Sequence, residues 1–180
     1  MPDRRRRDWM VLIRGTEGHP LHPPLTDATI GMFVLATGLA VIGAAGAIEQ
    51  AAAHGMWLAL IGGLIVAVPT AATGFVDWVT IEWGSARWRT ATLHLSAMLV
   101  AVTLFALAAW QQHDGYVHGR VGAAGLVLSV CGLIALTAGG WLGGTVVFVH
   151  RMRVVDRRPA PAEQDTPTTA HRSIQQEVRR

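Results

Sequence analysis

Residues 51–76 read AAAHGMWLALIGGLIVAVPTAATGFV, twenty-six consecutive positions without an Asp, Glu, Lys or Arg. A bilayer's hydrocarbon core is ~30 Å thick, and a helix rising about 1.5 Å per residue crosses it in about 20 residues. The run is long enough to cross once and too short to cross twice. It lacks the polar–apolar alternation of a barrel strand, and lipid admits backbone only as helix or closed barrel. This stretch reads as a transmembrane helix.

Working outward, three further uncharged runs flank it: Ala28–Ile48 (21 residues), Ala91–Gln112 (22) and Val121–Val149 (29). The last is long enough to tilt or to project beyond the bilayer. From Ala28 to Val149 the only charged residues are Glu49, Asp77, Glu82, Arg87, Arg89, Asp114 and Arg120, all in the gaps between runs. The whole chain of 180 residues is 51% hydrophobic and 15% charged, against about 25% charged in a soluble domain. The expected fold is all-α, an integral membrane bundle of four transmembrane helices. The chain divides into a basic lead-in with a His-Pro segment (1–26), the membrane domain (27–155), and a polar, proline-containing tail (156–180) expected to be disordered.

Arginine placement sets the expected orientation. Arg4, Arg5, Arg6, Arg7 and Arg14 precede the first span, Arg87 and Arg89 separate the second and third, and Arg151, Arg153, Arg157 and Arg158 follow the fourth. The two opposite connections hold only Arg120, so both termini and the central loop are expected in the cytoplasm. The same reading turns the net charge of +3 into a topology signal, with no nucleic-acid partner implied. The Arg6–Leu12 stretch superficially resembles a twin-arginine export signal, but Arg14 cuts its apolar segment too short.

Residue counts exclude several chemistries. A single cysteine, Cys131, rules out disulfide scaffolds, cysteine-ligated clusters, zinc ribbons and covalent c-type haem. The absence of lysine removes P-loop and Schiff-base chemistry, and no nucleophile–base pair appears. Independent enzymatic turnover is not expected. Small residues such as Gly62, Gly63 and the Gly139-Gly140-Trp141-Leu142-Gly143-Gly144 motif are the ordinary means of close helix packing in lipid. No internal repeat is evident.

Polar groups at membrane depth carry the functional candidates. Topology sorts seven of the eight histidines into two layers, the eighth, His171, being incidental in the polar tail. His19, His22, His94 and His150 lie toward the cytoplasmic side with Asp77. His54, His113 and His118 lie toward the outside, with Glu49 and Asp114; His113 and His118, five apart in the loop after the third span, are weak evidence for a metal site. The segment His19-Pro20-Leu21-His22-Pro23-Pro24 is expected to stay extended until Thr26 or Asp27 caps the first helix. His94 lies about a turn into the third span, above Ala97, Ala101 and Phe105. Asp77 shares a face with Thr70 and Thr73, a stripe that could orient a histidine, or Asp77 could pair with Arg87 or Arg89.

Four separated motifs resemble one family. Gly18-His19-Pro20-Leu21-His22-Pro23-Pro24-Leu25-Thr26-Asp27, Thr73-Gly74-Phe75-Val76-Asp77-Trp78, the histidine opening the third helix at His94, and the fourth-helix glycine motif through Val147 are similar to a bacterial transmembrane family of unknown function, DUF2231. The resemblance spans roughly residues 15–155. It implies a multi-pass protein of the bacterial inner membrane. Some relatives are fused to Rieske-type iron–sulfur domains, which implies a redox setting and such a protein as partner. One departure matters: the family's helix-four glycine pair is commonly followed by histidine, where this chain has Thr145.

Three readings of the cytoplasmic layer stand side by side. In the first, a small redox subunit holds a b-type haem between histidines drawn from His22, His94 and His150, with Arg87 and Arg89 meeting the propionates and His19 as a further candidate. In the second, a cofactor-free assembly or scaffold subunit, alone or as a homo-oligomer, uses these residues only to fold. In the third, His94, Asp77 and Thr73 form a proton or metal pathway.

Overall fold

The computed structural model describes residues 11, 13–16 and 18–155. The twin-arginine-like stretch, apart from Val11, and the tail from Asp156 lie outside the described residues. Four helices follow in order: α1 (His22–Ala44), α2 (Glu49–Trp78), α3 (Ala86–His118) and α4 (Ala123–Gly144). A single π-helical turn, Thr145–Val149, continues α4. A two-residue hairpin precedes α1, with Gly15–Thr16 (β1) antiparallel to His19–Pro20 (β2). All four helices are long and apolar enough to cross a membrane.

Helix starts depart from the sequence expectation in two places. α1 begins at His22, a turn before the Thr26–Asp27 cap, with Pro23 and Pro24 inside its first turn. Proline is tolerated there because its missing N–H would have had no intrahelical partner and its φ is already helical. Thr26 instead donates back to His22 O at 2.9 Å. α3 begins at Ala86, five residues before the apolar run, because Ser85 caps it by accepting from Trp88 N at 3.1 Å. His94 therefore stands two turns inside α3. At the other end α3 runs on to His118, stopping at Gly119 with φ +67°, so His113 and His118 are helical and not loop residues.

α1 packs chiefly on α2, and α3 on α4. The centre is a stacked pair, Phe33 of α1 against Phe105 of α3, with ring centroids 4.0 Å apart and planes 6° from parallel. Both rings are fully buried. Each rests on a glycine of the following helix: a Cβ at Gly63 would stand 2.7 Å from the Phe33 ring, and one at Gly132 3.0 Å from the Phe105 ring. Phe105 thus fills the bundle core.

The two helical hairpins match. Shifting α1 by 72 positions carries its six buried residues, Thr29, Phe33, Ala36, Thr37, Ala40 and Gly43, onto Ala101, Phe105, Ala108, Ala109, Gln112 and Gly115, all buried in α3. Shifting α2 by 69 carries buried Met56, Leu60, Gly63 and Ala67 onto buried Gly125, Ser129, Gly132 and Leu136. The bundle reads as a repeated hairpin, which the sequence conceals because the shift changes from 72 to 69 between the helices and six of these ten pairs differ.

Candidate functional site

The His22 side chain turns off the start of α1 into the groove with α2. Its Nδ1 lies 3.0 Å from Thr70 O and 3.2 Å from Thr73 Oγ1. Its ring lies flat on Gly74, where a Cβ would come within 2.6 Å of Cε1. Only glycine admits the ring at that distance. A carbonyl oxygen can only accept, so Nδ1 donates and the neutral ring keeps its lone pair at Nε2. Thr26 Oγ1 is 3.5 Å from Nε2, while its proton goes to the His22 carbonyl.

His94 repeats this arrangement in the second hairpin. Its Nδ1 donates to Gly139 O at 2.7 Å, and its ring covers Gly143, where a Cβ would stand 2.9 Å from Cε1. In both cases the glycine lies four residues beyond the accepting carbonyl. Among the described residues nothing hydrogen-bonds His94 Nε2. His94 and Asp77 are both near enough to His22 for their charges to act on it, so elements remote in sequence deliver these groups to one layer. His22 and His94 thus share a geometry in which Nδ1 is tied to backbone and Nε2 is left over, the arrangement that orients imidazole ligands in metal sites.

Asp77 is occupied otherwise than the loop arginines suggested. Its Oδ1 accepts from Arg14 Nε at 2.8 Å and from Arg153 Nη1 at 3.1 Å, and its side chain is 10% exposed. Arg87 and Arg89 lie instead in the first turn of α3. Arg89 donates to Gly84 O at 3.2 Å, and Arg87 is exposed. Arg153 sits at φ +58° and also donates to the carbonyl of Arg14 at 3.0 Å and toward those of Gly15 and Thr16 at 3.4 Å. This clamp ties the N-terminal hairpin and the chain after α4 to the end of α2.

The remaining candidates separate. His150 Nε2 pairs with Thr90 Oγ1 at 3.1 Å, positioned by the π turn, in which His150 N bonds five residues back to Thr145 O. His19 is exposed on β2 opposite Thr16. At the other end of the bundle, His54, Tyr116, Trp57 and His113 form a row of rings 4.6–5.7 Å apart, and His118 pairs with Asp114 at 3.2 Å. Of the helix-four glycines, Gly139 and Gly143 meet Met98 and His94, whereas Gly140 has nothing within 4 Å. The expectation that Gly140 shares the packed interface is corrected: residues 139 and 143 are one turn apart on the face toward α3, and residue 140 points away.

Two fully buried polar residues were missed by the sequence. Gln112 is fully buried and closes the α3–α4 turn, donating to Arg120 O and accepting from Gly122 N, both at 3.0 Å. Ser129 is fully buried and its Oγ has no partner among the described residues. A glutamine at the end of an apolar run and a serine within one carry no signal in a sequence that sets them apart from interfacial or back-bonded residues. No group of three or more His, Cys, Asp or Glu side chains that could hold a metal ion occurs among the described residues.

Fold and layer together define a multi-pass α-helical membrane protein with paired histidines toward one end. Residues 18–156 match the family model DUF2231, described as a predicted membrane protein. The chain belongs to that family. No curated protein and no solved structure matches it.

Proposed function

We propose that the chain is a small membrane redox subunit holding a b-type haem through histidines of the layer that contains His22 and His94. The observation carrying this reading is the twice-repeated imidazole with Nδ1 anchored to a carbonyl and Nε2 directed elsewhere. The chemistry of the donor set favours haem over a bare ion. Two neutral imidazoles leave a divalent metal short of ligands and of negative charge, whereas a porphyrin brings four nitrogens and two charges of its own. One-electron exchange is what such a group supplies when bound. Two of His22, His94 and His150 would hold the iron, Thr70, Thr73 and Gly139 would fix the orientations of the His22 and His94 rings, and Arg87 and Arg89, exposed in the first turn of α3, would meet propionates. A Rieske-type or similar redox protein would dock at this end, placed in the cytoplasm of a bacterial inner membrane by the arginine bias.

The test is a reduced-minus-oxidised absorbance spectrum of the full chain purified from haem-supplemented cells. Haem bands are expected, and their absence overturns the reading. The scaffold reading has its own support, because each carbonyl bond and glycine contact also joins two helices. It predicts no haem bands and a loss of thermal stability in His94→Ala.

A further inference from the structure

The duplication bears directly on which histidines act together. A shift of 72 residues carries His22 onto His94 as it carries Phe33 onto Phe105, and a shift of 69 carries Thr70 onto Gly139 and Gly74 onto Gly143. Two contacts of each histidine correspond: Nδ1 to a carbonyl at 3.0 and 2.7 Å, and a ring over a glycine where an added Cβ would stand 2.6 and 2.9 Å from Cε1. Because α1 and α3 run in the same direction, the relation between halves is a rotation about an axis parallel to the helices. The Phe33–Phe105 stack, face to face at 4.0 Å, is where the two halves meet across that axis. Each histidine stands eleven residues, three turns, from its phenylalanine. The two rings therefore lie at one depth, on opposite sides of the axis.

We infer that His22 and His94 are the two halves of one site and bind a single iron porphyrin on the axis, one imidazole to each face of the iron. This rests on the haem reading above and selects its ligands. A ligand with two equivalent, opposed coordination positions is what two symmetry-related donors recognise, and a haem iron has two such axial positions. His150 is outside the set: shifted back by 69 it falls on Ile81, beyond the end of α2, and its Nε2 is engaged by Thr90. His19, exposed on the hairpin, is outside it too. The surroundings of the two donors have diverged. His22 is flanked by Thr26, Thr70 and Thr73, while the corresponding positions beside His94 are Met98, Gly139 and Leu142. One half-site is therefore polar and the other apolar.

The experiment measures the haem-to-chain ratio and the iron spin state by absorbance and electron paramagnetic resonance. It uses the full-length wild type and the His22→Gly, His94→Gly and His150→Ala variants, all purified from haem-supplemented cells. The wild type should hold one haem per chain in the low-spin state of two imidazole ligands. Each glycine variant should turn high-spin and return to low-spin when free imidazole is added, and His150→Ala should remain low-spin. Two haems per chain, a wild-type haem that is not low-spin, a low-spin signal surviving in either glycine variant, or its loss in His150→Ala overturns the shared site while leaving the haem reading intact. A wild type without haem overturns both. The wild-type ratio and spectrum decide the matter even where a variant does not fold.

Discussion

Whether a glycine matters is decided at the distance of one methyl group. Gly143 and Gly140 belong to the same motif, yet a Cβ at the first would stand 2.9 Å from the His94 ring and one at the second would meet nothing within 4 Å. Gly143→Leu is expected to displace His94 and cost about 1–3 kcal/mol, the usual penalty for overpacking, seen as a lower melting temperature in detergent. Gly140→Leu and Val127→Ala should melt with the wild type, since Val127 is 59% exposed. Equal melting of the Gly143 and Gly140 variants would dismiss the contact. Gly74→Leu should behave like Gly143→Leu, because His22 lies on it as His94 lies on Gly143. The sequence displayed all three glycines, but only helix phase relative to a neighbour separates them, and phase is a tertiary property.

Elements are joined here by side chains that sequence proximity does not suggest. Asp77 is near Arg87 and Arg89 in the chain but binds Arg14 and Arg153, 63 and 76 residues away. Asp77→Asn keeps the shape and removes the charge. It should cost about 1.5–3 kcal/mol, the worth of hydrogen bonds to a charged group. The loss should appear as faster amide hydrogen exchange at Leu21, whose N–H bonds Arg14 O at 3.3 Å, with the middle of α1 unchanged. Unaltered exchange at Leu21 would mean the hairpin holds without the clamp. The spans themselves were legible because hydropathy over twenty residues is an average that single residues cannot mislead. Their ends were less so. The start of α1 was misplaced because Pro23 and Pro24 break a helix in its interior and suit it in its first turn, and sequence does not say which applies. The convergence of His22, His94 and Asp77 on one layer was legible from topology alone, but their partners, Thr70, Gly139 and Arg14, were not.

Over the whole molecule, eleven arginines neighbour one set of span ends in the sequence and one neighbours the other, the bias from which a cytoplasmic histidine layer is expected. Reporter fusions after Arg89 and after Arg180 should signal cytoplasm and a fusion at Gly115 should signal the opposite side; a reversed result at Arg89 would turn the molecule over. The duplication also belongs to this scale. It escaped inspection because a membrane helix needs only small or apolar residues at its buried positions, so Ala40 can face Gln112 and Leu60 face Ser129 across the repeat without a shared letter. What persists is the set of places where a ring meets a backbone: His22 and His94, Phe33 and Phe105, Gly63 and Gly132, Gly74 and Gly143.

The stacked phenylalanines have an electrical consequence. With Phe33, Ala36, Ala40, Ala101, Phe105 and Ala108 all fully buried, the middle of the bundle is a dry dielectric, and the membrane voltage falls across it. His22 and His94 stand about three turns, or ~16 Å, to one side of that plug. A full crossing is worth about 2.3 kcal/mol per charge at 100 mV, but a charge reaching this layer from the side of the 79–85 loop crosses little of the drop. Charging and discharging there leaves the membrane potential almost unspent, and the midpoint of any group seated between the two histidines should barely respond to an imposed voltage.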